Sequence, residues 1–147
     1  MGVNAVVIVE NSRNVSLEDF ISGLRQDLWG QRAVDRYNGW EEFNWEGKNY
    51  FSWLSGPRVG QIELYDEGDS APFEDNPVQL TFLKVMLVVE RLAGGPVYVG
   101  NDAVNRHLPE EVYTDDEAFF LPAMLDGLIP KWREVANMQV EKPRLVF

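Results

Sequence analysis

The sequence contains no cysteine and only one histidine, His107. Without cysteine there is no disulfide, no thiolate metal site and no cysteine nucleophile. A single histidine is too few for a histidine-rich zinc site, and the residues around His107 include no nucleophile elbow. A catalytic His107, acting as a general acid–base residue, stays open as an alternative. A surface or capping position before Leu108 and Pro109 is the simpler interpretation.

Long apolar segments and phosphate-binding motifs are missing as well. The longest apolar segment, residues 80–93, is interrupted by charged residues and is shorter than the ~18–20 residues of a membrane span. The apolar run at residues 3–9 follows no basic leader, so it is not the pattern of a signal peptide. The glycine-rich segment 94–100 follows a predicted helix rather than a strand, which is the wrong context for a dinucleotide site. We therefore expect a cytoplasmic protein with no cofactor, no resident metal and no enzymatic activity.

Negative charge is the most prominent property of the chain. It carries 24 acidic and 13 basic side chains, a net charge of −11. Residues 61–120 contain 13 acidic and 3 basic side chains, a net charge of −10, whereas residues 1–60 carry −2 and residues 121–147 carry +1. Such a field repels nucleic acid and anionic membranes and attracts basic proteins. The sequence therefore predicts no direct binding to nucleic acid or membranes, and it favours a basic protein partner.

The segment 66–77, DEGDSAPFEDNP, packs five carboxylates into twelve residues without a lysine or an arginine. An EF-hand calcium loop is excluded, because glycine falls at position three and proline at position twelve. An irregular calcium site formed by Asp66, Asp69 and Glu74 remains an alternative. A solvated loop is the default interpretation, and an acidic surface for a basic partner is the third.

Pairs of carboxylates can hydrolyse glycosides, but 24 acids make the presence of pairs uninformative. The pairs Glu41–Glu42 and Glu110–Glu111 are adjacent in sequence, so their side chains should point to different sides of a strand or helix. Glu63, between Ile62 and Leu64, is expected on the solvent side of a strand. A hydrolase that uses carboxylates at an unrecognised site remains an alternative function.

The first predicted helix begins at Ser16. Its hydroxyl is a good N-cap, Asp19 lies three residues later, and the apolar positions that follow form one stripe. This stripe consists of Leu17, Phe20, Ile21, Leu24 and Leu28. The helix is expected to end at Gly30, or one turn later at Val34.

The second predicted helix begins at Asn76 and Pro77 and runs to Ala93. Asn76 is a good N-cap, Pro77 suits the first helical position, and Gln79 is placed for a capping box. Gly94 and the residues after it end the helix. Because nearly all sides of this helix are apolar, we expect it to be central and buried.

The other elements are predicted to be strands and a broken helical segment. The strands are expected at residues 3–9, 41–45, 49–54, 59–65 and 96–100, with turns at 46–48 and 55–57. The C-terminal part has a capping box at residues 114–117 and is kinked or restarted at Pro122 and Pro130.

This pattern predicts a single α+β domain over residues 1–147. Its order, β-α-β-β-β-α-β-α, predicts a mainly antiparallel sheet of about five strands. The helices are expected to pack on one face, and a kinked helical segment is expected to follow at the C-terminus.

The predicted meander is rich in aromatic residues: Trp40, Phe43, Trp45, Tyr50, Phe51 and Trp53. Side chains alternate between the faces of a sheet, so Phe43 and Trp45 should share a face. One aromatic set must be core, and the other is either covered by the C-terminal segment or exposed as an interface.

Together these features favour a small protein that works by binding a partner. We expect an inhibitor or immunity-type protein that covers the active site of a basic enzyme, for example a toxin that acts on nucleic acid; this rests on an analogy of size and charge. The carboxylates expected to bind the partner are Asp66, Glu67, Asp69, Glu74, Asp75, Asp115, Asp116 and Glu117. A subunit of a larger assembly, which makes contact through the aromatic face or residues 145–147, is a further alternative. The oligomeric state is not predicted.

Overall fold

The structure is a computed structural model, and it describes residues 4–27, 39–53, 56–57, 59–62, 77–101 and 123–137. Its strands are β1 (Ala5–Glu10), β2 (Glu41–Trp45), β3 (Lys48–Trp53), β4 (Val97–Asn101) and β5 (Ala123–Met124). Its helices are α1 (Leu17–Asp27), α2 (Val59–Ile62), α3 (Pro77–Ala93), α4 (Leu125–Leu128) and α5 (Trp132–Asn137). None of the helices in these ranges has the length and apolar character needed to cross a membrane.

The strands form one antiparallel sheet in the order β2-β3-β1-β4-β5. β1 lies in the middle, with Val7 opposite Trp53 of β3 and Val99 of β4. Four strands of five or six residues make up the body of the sheet, and β5 adds two residues at one edge, where Met124 pairs with Tyr98. The predicted α+β class and antiparallel sheet are confirmed, whereas the predicted five-strand order is not.

A two-residue turn joins β2 to β3. Glu46 and Gly47 have φ angles of 49° and 80°. Positive φ at both central residues is the mark of a type I′ turn, whose twist matches that of the two strands it joins. The turn sets the register of the hairpin, in which Trp45 lies opposite Lys48. The predicted turn and the predicted strand 41–45 are confirmed.

β1 is buried on both faces of the sheet. Ala5, Val7 and Val9 pack with the helices, whereas Val6 and Ile8 lie on the opposite face. All five side chains are at most 2% exposed. A continuous apolar run, rather than an alternating one, is what a strand with two covered faces requires.

α1 packs on the sheet through the described part of its predicted stripe, and Leu28 and the predicted end of the helix lie outside the described residues. The helix begins with the predicted cap, because the Ser16 hydroxyl accepts a hydrogen bond from the Asp19 backbone N–H at 3.0 Å. Phe20 stacks on Phe51 of β3 with ring centroids 4.4 Å apart, and Trp40 lies edge-on to Phe20 at 5.1 Å. Aromatic pairs of this kind contribute about 0.5–1.5 kcal/mol beyond the area they bury.

α3 is the predicted central helix, and it occupies the predicted residues. Its buried side chains are Gln79, Leu80, Thr81, Phe82, Leu83, Val85, Met86, Val89 and Ala93. The side-chain amide of Gln79 donates to the carbonyl oxygen of Ile62 at 2.7 Å. This bond links α3 to α2, a contact that the sequence does not indicate. The predicted cap, Asn76, lies outside the described residues.

The C-terminal helices are separated at Pro130, as predicted. Trp132 of α5 is buried, and its indole N–H donates to Asp126 of α4 at 2.6 Å. Arg133 donates to Asp126 at 2.8 Å and makes a bidentate pair with Glu90 of α3. The hydrogen bond to Glu90 is the main reason why the pKa of Arg133 is raised. These bonds tie α3, α4 and α5 together at the surface.

The prediction of a third meander strand at residues 59–65 is wrong, because residues 59–62 form the helix α2. The chain leaves β3 and binds the start of β1: the Gly56 N–H donates to the Ala5 carbonyl at 3.0 Å, and the Ala5 N–H donates to the Pro57 carbonyl at 2.7 Å. A Cβ on Gly56 would lie 2.5 Å from the Ala5 oxygen, so this approach requires glycine. Val59 and Ile62 are three residues apart, which is the spacing of one helical turn, whereas the strand prediction rested on an alternation that continues through residues 63–65. Residues 63–65 lie outside the described residues.

Candidate partner-binding surface

The eight carboxylates predicted to bind a partner all lie in the ranges 63–76 and 102–122, outside the described residues. His107 and the alternative calcium ligands of the segment 66–77 lie in the same ranges. Their roles stay predictions.

Within the described residues, exposed carboxylates gather on β2 and the turn that follows it. Glu41, Glu42 and Glu46 are exposed, and so is Asn44 between them. β2 is the last strand on its side of the described sheet: one of its edges pairs with β3, and no described strand pairs with the other. Glu41, Glu42 and Glu46 are called the acidic edge below.

The backbone of β2 presents hydrogen-bonding groups along this open side. The pair that flanks a two-residue turn, Trp45 and Lys48, is a hydrogen-bonded pair, and such pairs alternate with non-hydrogen-bonded ones in an antiparallel ladder. The alternation directs the peptide groups of Glu42 and Asn44 away from β3. An edge strand with unpaired N–H and C=O groups is a template for another strand.

The face of the sheet opposite the helices carries an aromatic cluster, which is called the aromatic face below. It consists of Val6, Ile8, Phe43 and Tyr50, with Trp45 and Tyr98 packed against them. Phe43 and Tyr50 are stacked, with ring centroids 5.2 Å apart and planes inclined by 13°. The prediction that Phe43 and Trp45 share a face is confirmed. Phe43 and Tyr50 are 7% and 4% exposed, so this aromatic set is largely buried, like the set beneath the helices.

Acidic side chains act on the aromatic face electrostatically. Burial raises the pKa of the Tyr50 hydroxyl to about 12, and the negative charges of Glu10 and Glu46 add to the effect, as does Tyr98. Glu10 is also paired with Lys48, with the carboxylate and ammonium 3.4 Å apart. The acidic edge and the aromatic face therefore meet at the β2–β3 turn.

Two grooves run along α3 on the other side of the molecule. The larger, of about 510 Å³, lies between α3 and α5 and is lined by Lys84, Leu87, Val88, Glu90, Arg91, Ala136 and Asn137. The ammonium group of Lys84 donates to the carbonyl oxygen of Ala136 at 2.9 Å, which joins the two helices at this groove. The acid that lines it, Glu90, is held by Arg133.

The smaller groove, of about 410 Å³, lies between the start of α1 and the end of α3. It is lined by Arg13, Val15, Asp19, Phe20, Arg91 and Leu92. Among the described lining residues of each groove there is one carboxylate, so these residues alone do not supply the pair of acids that glycoside hydrolysis requires. The described part of the chain also contains no group of three or more side chains placed to hold a metal ion.

The acidic edge is absent from the set of residues predicted to bind a partner. The sequence indicates that Glu41 and Glu42 point to opposite sides of a strand, and the register agrees: Glu41 lies opposite Ser52, and Glu42 lies opposite Phe51. Nothing in residues 41–46 reveals that β2 is terminal, because strand order is fixed by pairings with residues far along the chain. The available signal was three glutamates around a glycine turn.

Comparison with models of known protein families, with curated proteins and with solved structures found no match for this chain.

Proposed function

We propose that this protein is a small acidic binding protein that neutralises a basic partner. It would act as an inhibitor or immunity-type protein, which covers the active site of a basic enzyme or of a toxin that acts on nucleic acid. The observation that carries this proposal is the charge distribution, with a net charge of −10 confined to residues 61–120. The inhibitor class itself rests on an analogy of size and charge.

Charge acts first on the encounter between the two proteins. A concentrated negative field raises the association rate of a basic protein toward 10⁸–10⁹ M⁻¹s⁻¹, and like charge on other molecules suppresses wrong partners. Part of the gain is lost at high salt, because the Debye length shrinks from about 10 Å at 0.1 M to about 3 Å at 1 M. A partner that binds nucleic acid fits this charge best, since such proteins carry basic surfaces.

The acidic edge adds exposed negative charge within the described part of the chain. Glu41, Glu42 and Glu46 are exposed, so a partner can reach their charges without first breaking a buried ion pair. Exposed charges of this kind affect the association rate and its salt dependence more than the dissociation rate.

The test is an affinity pull-down from native cell extract at low and high salt, with the retained proteins identified by mass spectrometry. We expect one stoichiometric basic protein at low salt that is lost at high salt. Neutralising Asp66, Glu67, Asp69, Glu74 and Asp75 together, as Asn or Gln, should weaken affinity on the order of tenfold and flatten its salt dependence.

A matched control neutralises exposed acids elsewhere on the molecule. Glu18 lies on α1 and Glu134 lies on α5, and both are exposed. The substitutions Glu18→Gln and Glu134→Gln should leave partner retention nearly unchanged. A variant with Asp115, Asp116 and Glu117 neutralised tests the second predicted group separately. The proposal is wrong if no basic protein is retained at either salt, or if the fivefold variant retains its partner with unchanged affinity and salt dependence.

A further inference from the structure

We propose that β2 accepts an extended, basic segment of the partner as an additional strand of the sheet. This inference rests on the proposed function, because it takes the partner to be basic, and it adds the mode of binding. The main-chain groups of the open edge would supply affinity, and the acidic edge would select the charge of the incoming strand.

The unpaired side of β2 is exposed. Glu42 and Asn44 have peptide groups that point away from β3. Their side chains are exposed, and β2 is the terminal strand of the described sheet. No other described strand pairs with this side of β2. The type I′ turn at residues 46–47 also holds β2 in a regular twisted geometry, the geometry that a neighbouring strand needs.

The charges of the acidic edge disfavour a second copy of this chain as the strand that pairs with β2. Edge-to-edge pairing of two copies would bring the acidic edges of both chains together, and like charges placed opposite each other destabilise a sheet. Charged edges protect native sheets from self-pairing in this way. The same carboxylates attract a lysine- or arginine-bearing strand, so charge complementarity identifies a basic occupant.

The positions of Glu41 and Glu42 also predict where the incoming strand carries its basic residues. Glu41 and Glu42 project to opposite faces of the sheet, since they lie opposite Ser52 and Phe51 in consecutive positions. A strand that pairs with both would therefore carry basic residues at two consecutive positions, one on each face. This gives the partner segment a recognisable form: an extended β-forming stretch with two adjacent basic residues.

The experiment is an NMR titration of ¹⁵N-labelled protein with synthetic peptides. The probe is a capped decapeptide of alternating valine and threonine with two adjacent lysines at its centre. A second peptide replaces both lysines with glutamate, and a third keeps the lysines but is N-methylated at successive peptide nitrogens through its centre, so that neither of its edges can donate to β2. We expect the lysine peptide to shift the amide signals of Glu41–Trp45, and we expect the other two peptides to leave them unchanged.

Protein variants provide the matched controls. Asn44→Pro removes one outward N–H without touching the ladder to β3, which is where a sheet tolerates proline. Asn44→Thr keeps that N–H. The lysine peptide should bind Asn44→Thr normally and Asn44→Pro not at all, and Glu41→Gln with Glu42→Gln should weaken it by roughly tenfold.

The outcomes separate this inference from the proposed function. Strand addition is wrong if the lysine peptide causes no shifts at millimolar concentration, if the N-methylated peptide binds equally well, or if Asn44→Pro binds like Asn44→Thr. If the pull-down retains a basic partner equally with Asn44→Pro and Asn44→Thr, the proposed function stands and strand addition is wrong. If wild-type protein retains no partner, the proposed function fails, and the peptide titration still decides whether the edge accepts a strand.

Discussion

The helix-covered face and the aromatic face of the sheet are built from alternate residues of the same strands. Phe51 and Tyr50 are neighbours on β3, yet Phe51 stacks on Phe20 of α1 and Tyr50 stacks on Phe43 of the edge strand. The helix-covered face packs an extensive apolar cluster against the helices, whereas the aromatic face brings a tyrosine hydroxyl close to the charges of Glu10 and Glu46. One face is thus organised for stability, and the other combines burial with electrostatics.

The two faces should tolerate substitutions differently, and this bears on where a partner can bind. Changes on the helix-covered face should act through the whole fold, because its side chains are close-packed between two layers. Changes at the hairpin side of the aromatic face should act locally, since β2 pairs with a single neighbour. Surfaces that bind partners are better placed where alteration does not unfold the scaffold, and β2 meets that condition.

The largest expected effect is on the free energy of unfolding, when a phenylalanine on each face is replaced with alanine. Phe51→Ala should lower the free energy of unfolding by about 3–5 kcal/mol, because Phe51 is fully buried and its removal leaves a cavity between β3 and α1. Phe43→Ala, on the edge strand, should cost roughly half as much, since the site can relax and admit water. Urea denaturation of both variants measures the difference.

Phe51→Leu serves as the control, because it keeps most of the side-chain volume and should cost less than Phe51→Ala. Equal losses of unfolding free energy for Phe43→Ala and Phe51→Ala would mean that the two faces are packed alike and that changes at β2 are not merely local.

The second effect depends on pH. The pKa of Tyr50 is raised from 10.0 to about 12, so the folded protein holds the neutral phenol more strongly than the unfolded chain does. The stability that the raised pKa supplies is fully present below pH 10 and is lost as the pH rises to about 12. Tyr50→Phe has no such loss, so its stability relative to wild type should improve by up to about 2 kcal/mol across that window.

Urea denaturation of wild type and Tyr50→Phe at several pH values from neutral to strongly alkaline measures this difference. Taking the difference cancels the lysines and other tyrosines, which titrate in both proteins. A stability difference that stays constant with pH would show that burial and the nearby glutamates do not perturb Tyr50.

The two faces also differ in how far they can be predicted from sequence. α1 and α3 are predictable because each has an N-cap signal and an apolar pattern longer than a strand can sustain. The β2–β3 hairpin is predictable because Gly47 supplies the positive φ that a two-residue turn needs. These signals are local, and they are sufficient for the helix layer and the hairpin.

Features that depend on distant pairings are not predictable in this way. β5 is two residues long, and Ala123–Met124 has no pattern of its own to reveal it. The strand prediction at α2 is wrong for a similar reason, since a segment of four residues is too short to distinguish a strand from a helical turn. The acidic edge is a property of strand order, and neither the glutamates nor the turn indicates which strand is terminal.

The smallest expected effect is a gain in stability at the turn where the two faces meet. Glu46 holds a φ of 49°, a left-handed conformation that disfavours most side chains, and the turn prefers asparagine there. Glu46→Asn should therefore raise the free energy of unfolding by roughly 0.5–1 kcal/mol. Glu46→Gln removes the same charge without relieving the backbone, so it should change stability little. If both variants weaken binding of the lysine peptide while only Glu46→Asn is more stable, then glutamate at this position costs stability and serves binding through its charge. If neither variant affects the peptide, Glu46 does not belong to the binding surface, and the strand residues Glu41 and Glu42 alone would select the partner.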